Sequence, residues 1–207
     1  VDVAFVPYSR EVYRVFLQAR RDCDLAPVCP AGMPFPTKLL ESLRKNRCVL
    51  FLGAGLSAGA GLPGWQALVD RLSDALGVPR KSGDVDYYLD LAQWFVEGRG
   101  EKALADIISG LFGGERGLPT VAHYLLMSLP VRVVITTNYD ALLERTLRAL
   151  RRHPITIVEQ RDVARTSRSV GTCVVKFHGD ATSGKGIVLS RDDYDAFFRN
   201  RPAMALL

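Results

Sequence analysis

Three short stretches of this chain combine residue types that do chemistry at spacings that would bring them together. The first, VLFLGAGLSAGAGLPGW, runs an apolar segment into a turn made of Gly53, Ala54 and Gly55. Small residues there let the backbone approach a phosphate closely. The N–H groups that open the following helix can then hydrogen-bond its oxygens. Ser57 adds a hydroxyl, and Ala58 completes a G-x-G-x-x-A pattern. A tight strand-to-helix turn without a ligand would meet the same pattern. The strand before it and the helix after it favour a nucleotide pyrophosphate. A dehydrogenase-type fold also places an acidic residue about 20 residues on, at the end of the second strand. Here Asp70 and Asp74 fall in a helical pattern instead, which points away from that type.

The second stretch is VVITTNYDALLERTL, where Thr136, Thr137, Asn138 and Asp140 follow an apolar run. Such residues are favoured helix caps, and a helix is expected at once. Four polar groups exceed what a cap needs. The third is VVKFHGD, in which His178 follows another apolar run and Gly179 lets the chain turn. Histidine is the side chain most easily poised as acid or base near neutral pH, although a lone histidine is often structural. His123 sits in a helical pattern and His153 in a basic loop, and neither is assigned a role. The coincidence of the three is the stronger signal. In a parallel sheet, ligands bind at the carboxyl edge, and all three stretches follow strand ends.

The elements that must position these residues follow from periodicity. Apolar runs at 48–52, 131–136, 155–158, 172–177 and 186–190 read as strands. Helices are expected over KLLESLRKN with Thr37 as its cap, over 65–76, 85–98, 101–113, 119–129 and 141–150, and over RDDYDAFFRN. Strands alternating with helices give an α/β fold, a Rossmann-like doubly wound parallel sheet. The helices between 65 and 129 interrupt the strand order as a helical insertion. Residues 1–36 read as an N-terminal leader, with a helix over Ser9–Arg21 and a proline-rich linker over Ala26–Pro36. Residues 37–207 read as the nucleotide-binding domain, truncated at its C-terminal end.

Composition sets bounds on function. The chain has 207 residues, 48% hydrophobic and 24% charged, which suits one sizeable globular domain. No stretch approaches the roughly 18 apolar residues of a spanning helix, and no signal peptide is visible. A cytoplasmic protein without membrane attachment is expected. The net charge of +5 comes from scattered arginines. That field suits a polyanionic small molecule, and equally a solvated basic face. Direct nucleic-acid binding is not expected, since no aromatic-interleaved or zinc-finger signature is present. Cys23, Cys29, Cys48 and Cys173 lack C-x-x-C spacing, so free thiols and no metal site are expected.

The motifs together resemble those of the sirtuin-like superfamily, in its bacterial NAD-hydrolysing branch. The pattern G-A-G-x-S followed by A-G-[IL]-P is met by Gly53, Ala54, Gly55, Ser57, Ala60, Gly61, Leu62 and Pro63. T-[QT]-N-x-D is met by Thr136, Thr137, Asn138 and Asp140, and H-G by His178 and Gly179. The resemblance covers roughly residues 37–200. Sirtuin deacylases follow the proline with Asp-Phe-Arg, where this chain has Gly64, Trp65 and Gln66, and they carry a four-cysteine zinc module. Both departures favour water as the acceptor. The resemblance implies an NAD+ glycohydrolase that needs no metal, releasing nicotinamide and ADP-ribose. In that reading Asn138 and His178 are catalytic. Asn138 fixes the ribose hydroxyls or the attacking water, and His178 is a general base. Gly53, Ala54, Gly55 and Ser57 hold the diphosphate, and Asp140 binds the nicotinamide carboxamide. Pro63, Trp65, Thr136, Thr137 and Gly179 complete the pocket, with Trp65 either shielding nicotinamide or packing in the core. The resemblance further implies an antiphage effector, homo-oligomeric, with a sensor or regulatory module in the same or a partner chain. The alternatives are a zinc-free protein deacylase or ADP-ribosyltransferase, and a non-catalytic NAD or ADP-ribose sensor.

Overall fold

A computed structural model of the chain describes residues 2–5, 18, 37–81, 84–168 and 170–200. Its centre is a five-stranded, wholly parallel sheet in the order β1-β2-β3-β5-β4. The strands are β1 (Asp2–Phe5), β2 (Cys48–Leu52), β3 (Val133–Thr136), β4 (Pro154–Ile157) and β5 (Thr172–Lys176). Helix α1 (Thr37–Arg44) precedes β2, and a one-turn helix, α2 (Gly55–Ala58), follows it. Four helices then intervene before β3: α3 (Trp65–Leu76), α4 (Val85–Arg99), α5 (Glu101–Phe112) and α6 (Val121–Ser128). Helix α7 (Leu142–Ala149) follows β3, a 3-10 segment spans Gln160–Arg168, and α8 (Arg191–Asn200) closes the described chain. This is the expected Rossmann-like α/β fold with a helical insertion.

The alternation of side chains along a strand explains the layers. Leu50, Leu52, Val134 and Val174 point to one face and join Met127 of α6 and Leu143 and Leu147 of α7 in a core, with Leu39 and Leu43 of α1 against it. Ile157 and Val175 point to the other face with Ile135 and Cys173, and meet Val163 of the 3-10 segment. The insertion builds its own core. Leu68 and Leu72 of α3, Leu91 and Phe95 of α4, and Leu104 and Ile108 of α5 are all nearly or fully buried together. Tyr139, Ala181 and Leu189 belong to that same cluster. The insertion is therefore packed directly against the loops that leave β3 and β5.

Three differences from the sequence reading have physical causes. The run 186–190 is no strand. Residues 181–184 form a turn, Asp180 and Lys185 make an isolated antiparallel bridge, and Gly184 and Gly186 take positive φ of 66° and 62°. The chain folds back over His178–Gly179, with the Val188 N–H donating to the His178 carbonyl (3.0 Å). Val188 and Leu189 are buried by this route (each 2% exposed) and not by pairing at a sheet edge. A short apolar run does not reveal which burial it serves. Second, the stretch after β4, to which the sequence reading assigns no element, winds as a 3-10 segment over Gln160–Arg168. Third, the sheet gains β1 from the chain start, within the stretch read as a leader; its four residues pair in register with Cys48–Phe51. Of the helix expected over Ser9–Arg21, only Gln18 is described, and it is helical. The linker at Ala26–Pro36, with Cys23 and Cys29, lies outside the described residues. Cys48 and Cys173 lie in β2 and β5, neither of them in a disulfide.

Candidate active site at the carboxyl edge of the sheet

Strand order decides what meets at the carboxyl edge. β2, β3 and β5 are neighbours, and Leu52 aligns with Thr136 and Thr136 with Lys176. The Gly53 turn, the Thr137–Asp140 loop and the Phe177–Gly179 turn thus leave the sheet side by side. Backbone bonds carry the pairing into the loops. The Thr137 N–H donates to the Leu52 carbonyl (3.3 Å), and the Phe177 N–H to the Thr136 carbonyl (2.9 Å). Gly53, Ala54 and Gly55 are exposed. The first N–H satisfied within the turn is that of Leu56, on the Gly53 carbonyl (3.1 Å). The three preceding N–H groups lie ahead of the helical ladder, as a phosphate cradle requires.

Three side chains from two of the motifs lock together. Asn138 Nδ2 donates to the Gly53 carbonyl (3.2 Å) and to Ser57 Oγ (2.9 Å). Ser57 Oγ in turn donates to Asp140 Oδ2 (2.8 Å). A carbonyl only accepts, so its contact fixes which end of the Asn138 amide faces the glycine turn. The other end, Oδ1, is buried and has no partner among the described residues. Thr136 Oγ1 accepts from the Asn138 N–H (3.0 Å), and Asp140 Oδ1 accepts from the Leu142 N–H (3.0 Å) at the start of α7. Asp140 thus turns one oxygen to Ser57 and the other to the first N–H of α7, whose cap position is Ala141. Thr137 Oγ1 lies 3.9 Å from where a Cβ on Gly53 would stand, which places this hydroxyl at the turn.

His178 sits half-buried on the turn after β5. Its ring lies between Tyr139 (centroids 6.4 Å apart) and Tyr194 of α8 (5.4 Å, edge-on). Nε2 is 3.5 Å from the Tyr194 hydroxyl, too long for a firm hydrogen bond. Tyr139 is held by its own hydroxyl on the Val188 carbonyl (2.9 Å). Gly179 serves the turn itself. Its φ is +97°, and a Cβ there would stand 2.4 Å from the Gly186 carbonyl oxygen. Pro63 is half-buried, and Trp65, the first residue of α3, packs against the core of the insertion.

The sequence reading passed over a buried charged group directly behind this site. Lys176 ends β5 with no exposed surface, and its ammonium meets Asp180 Oδ1 at 2.5 Å. Glu144 of α7 is also buried, with Oε1 3.7 Å from the same ammonium and Oε2 without a partner among the described residues. Burial raises the Glu144 carboxyl above its ordinary value, against the pull of Lys176. Burial also acts to raise Asp180, but the charge and hydrogen bond of Lys176 and the Ser183 N–H outweigh it and leave Asp180 lowered. A lysine closing an apolar run, with an aspartate four residues on, was the signal available. His123 is buried too. Its Nδ1 accepts from the Thr120 N–H (3.1 Å) in a capping box that starts α6.

A cavity of about 440 Å³ opens farther along the edge, lined by Glu144, Thr156, Glu159, Asp162, Asp180 and Ser183 among others. It includes neither Asn138 nor His178. Among the described residues no cluster of histidine, cysteine, aspartate and glutamate is placed to hold a metal ion. None of the described helices is long and apolar enough to cross a membrane.

Comparison with known proteins matches part of this sequence to a family. Residues 132–207, which begin at β3 and include Asn138, Asp140 and His178, match the SIR2-like domain. The chain carries a SIR2-like domain. Curated relatives extend the likeness over the rest of the chain. NAD(+) hydrolase ThsA of Cytobacillus dafuensis is 31% identical over 170 residues, 82% of this chain and 34% of that protein. ThsA of Enterococcus faecium is 32% identical over 159 residues, 76% of this chain and 33% of that protein. Defense-associated sirtuin 2 of Bacillus subtilis is 32% identical over 175 residues, 82% of this chain and 17% of that protein. The chain thus spans about a third of the length of these two ThsA relatives and less of the defence-associated sirtuin.

Proposed function

We propose that this SIR2-like domain hydrolyses NAD to nicotinamide and ADP-ribose, and that it is the effector domain of an antiphage defence protein. The observation that carries the reading is the open acceptor on Asn138. Its amide is held at one end by Gly53 and Ser57, and its buried Oδ1 has no partner among the described residues. An unpaired buried acceptor costs about 1–3 kcal/mol. A ribose hydroxyl or a water would satisfy it, which is the role the family resemblance gives this residue. The names of the relatives, NAD(+) hydrolases and a defence-associated sirtuin, support the substrate and the setting.

The chemistry asks little of the protein in covalent terms. The bond from the ribose carbon to the nicotinamide nitrogen breaks, and its electron pair leaves with the cationic nicotinamide, which becomes neutral. The ribose passes through an oxocarbenium-like state. Water adds to that carbon and gives up one proton, so NAD+ and water yield nicotinamide, ADP-ribose and H+. Asn138 orients the hydroxyls or the water, and His178 accepts the proton. The Gly53–Gly55 backbone holds the diphosphate. Asp140 faces the nicotinamide carboxamide from its place beside Ser57. Pro63, Trp65, Thr136, Thr137 and Gly179 frame the site. Residues 37–207 form the nucleotide-binding unit in this reading. A homo-oligomer and a sensor or regulatory module, in this chain or a partner, control it in the cytoplasm.

The test is incubation of the purified full-length protein with NAD, alone and with an acyl-lysine peptide. Nicotinamide should appear without peptide, and the His178→Ala variant should bind NAD but not turn it over. Release that needs the peptide would replace hydrolysis by deacylation. NAD binding with no release under any activating condition would make the domain a sensor.

A further inference from the structure

A buried lysine must account for its charge. Lys176 has no exposed surface, and all three of its ammonium donors are taken up. Two go to backbone carbonyls of the site loop, that of Tyr139 (3.0 Å) and that of Asp140 (2.6 Å). The third goes to Asp180 Oδ1 (2.5 Å), and Glu144 Oε1 stands 3.7 Å away. The desolvation of such a charge is large and is offset only while its partners are in place. An aliphatic residue at this strand end would bury itself without that difficulty.

What the charge does is local and directional. The two carbonyls belong to the two residues that follow Asn138, the second of which carries the Asp140 carboxylate. The Tyr139 carbonyl also accepts the Ala181 N–H (2.9 Å). Asp180, the counter-ion, is held by the Ser183 N–H on Oδ2 (2.8 Å) and by its own N–H on the Lys185 carbonyl (3.0 Å). Lys176 itself is opposite Thr136 in the sheet register and two residues before His178. One ammonium thus fastens the loop that bears Asn138 and Asp140 to the turn that bears His178. Three hydrogen bonds to oxygens of fixed direction define a position more narrowly than apolar packing does.

We propose that Lys176 is a positioning residue: through the Tyr139 and Asp140 carbonyls it sets the Asn138–Asp140 loop against the His178 turn. The functional part of this rests on the reading of Asn138 and His178 as the reacting site. The structural part does not.

The experiment compares full-length wild type with Lys176→Met and with the double variant Lys176→Met/Asp180→Asn, which removes the orphaned carboxylate charge and so protects folding. Two readouts are taken well below the melting temperature. One is hydrogen exchange at the amides of Leu142 and Ala181, which report on Asp140 Oδ1 and the Tyr139 carbonyl. The other is kcat and KM for nicotinamide release from NAD. The expected result in the folded double variant is about tenfold faster exchange at both amides. It comes with a fall in kcat of about 100-fold, the scale of a misplacement of about 1 Å, and little change in KM. Exchange as slow as wild type overturns the proposal. So does a kcat within twofold of wild type, which would reduce Lys176 to a stabilising role. If wild type itself releases no nicotinamide, the hydrolase reading fails on its own, and the exchange rates still decide whether Lys176 holds the loop.

Discussion

At the scale of single residues, the site rests on one amide with two different ends. Asn138 donates to Gly53 and Ser57 through Nδ2, and its Oδ1 meets no partner among the described residues. Asn138→Ala removes both functions. It should lower nicotinamide release about 100-fold or more, the scale seen when one polar group of a preorganised site is deleted, while calorimetry still detects NAD binding. Unchanged kcat in that variant would take Asn138 out of the reaction. His123 makes a separate prediction about stability. Burial lowers its pKa below the usual 6.5, against a weaker opposing pull from Asp140. The unfolded chain therefore takes up a proton near pH 6.5 that the folded chain refuses until lower pH. The stability contributed is fully present above pH 6.5 and is lost as the pH falls through that value toward the folded pKa. Urea unfolding at pH 8 and pH 5 should show this loss. His123→Gln, which keeps a capping side chain at the same position, should flatten the slope. Equal slopes would assign the acid sensitivity to other groups.

At the scale of elements, two glycines that the motifs treat alike have different work. Gly179 has φ +97°, and any Cβ would collide with the Gly186 carbonyl at 2.4 Å. Gly179→Ala should cost more than about 2 kcal/mol and lower the melting temperature by several degrees. Gly53 is not in that conformation, and a Cβ there would meet only Thr137 Oγ1 at 3.9 Å. Gly53→Ala should leave stability within about 0.5 kcal/mol but raise the Kd for NAD, because the methyl stands where a phosphate must approach. Thermal melts and NAD titrations on the pair separate the two roles; equal loss of stability would remove the distinction. The same contrast explains what the sequence made legible. Strands β2 to β5 and helices α1 and α3 to α8 are visible because their periodicity is local. The three polar stretches were visible because each follows a strand end. The bond from Ser57 to Asp140 was not, since 83 residues separate them and only the sheet order brings them together. Lys176 was read as one more strand residue, because an apolar run does not say which of its members faces a carboxylate. The fold-back after Gly179 was mistaken for a strand because burial in a loop and burial in a sheet select the same apolar residues.

At the scale of the whole molecule, the helical insertion is coupled to the site by contacts of two kinds. The apolar kind is the shared core in which Tyr139 and Leu189 pack with α3, α4 and α5. The polar kind runs through α8. Arg191 donates to Asp90 (2.6 Å) and to the Asp86 carbonyl (3.1 Å) on α4, and Gln93 of α4 donates to Asp192 (3.0 Å). Three residues beyond Arg191, Tyr194 stands edge-on to the His178 ring. The Arg191 side chain is 39% exposed and that of Asp86 is 85% exposed, so their pairing is screened and adds at most about 1 kcal/mol to stability. Its larger effect is on orientation, since it fixes the start of the helix that carries Tyr194 to His178. Arg191→Ala should therefore change the denaturation midpoint little and lower kcat several-fold. Raising the salt concentration should slow wild type toward the variant, because screening weakens the pair, and should leave Arg191→Ala nearly unaffected. A variant with wild-type kcat and the same salt response would show that α8 reaches His178 without help from the insertion. In that case Tyr139 and the shared apolar core would still join the insertion to the loop that bears Asn138 and Asp140.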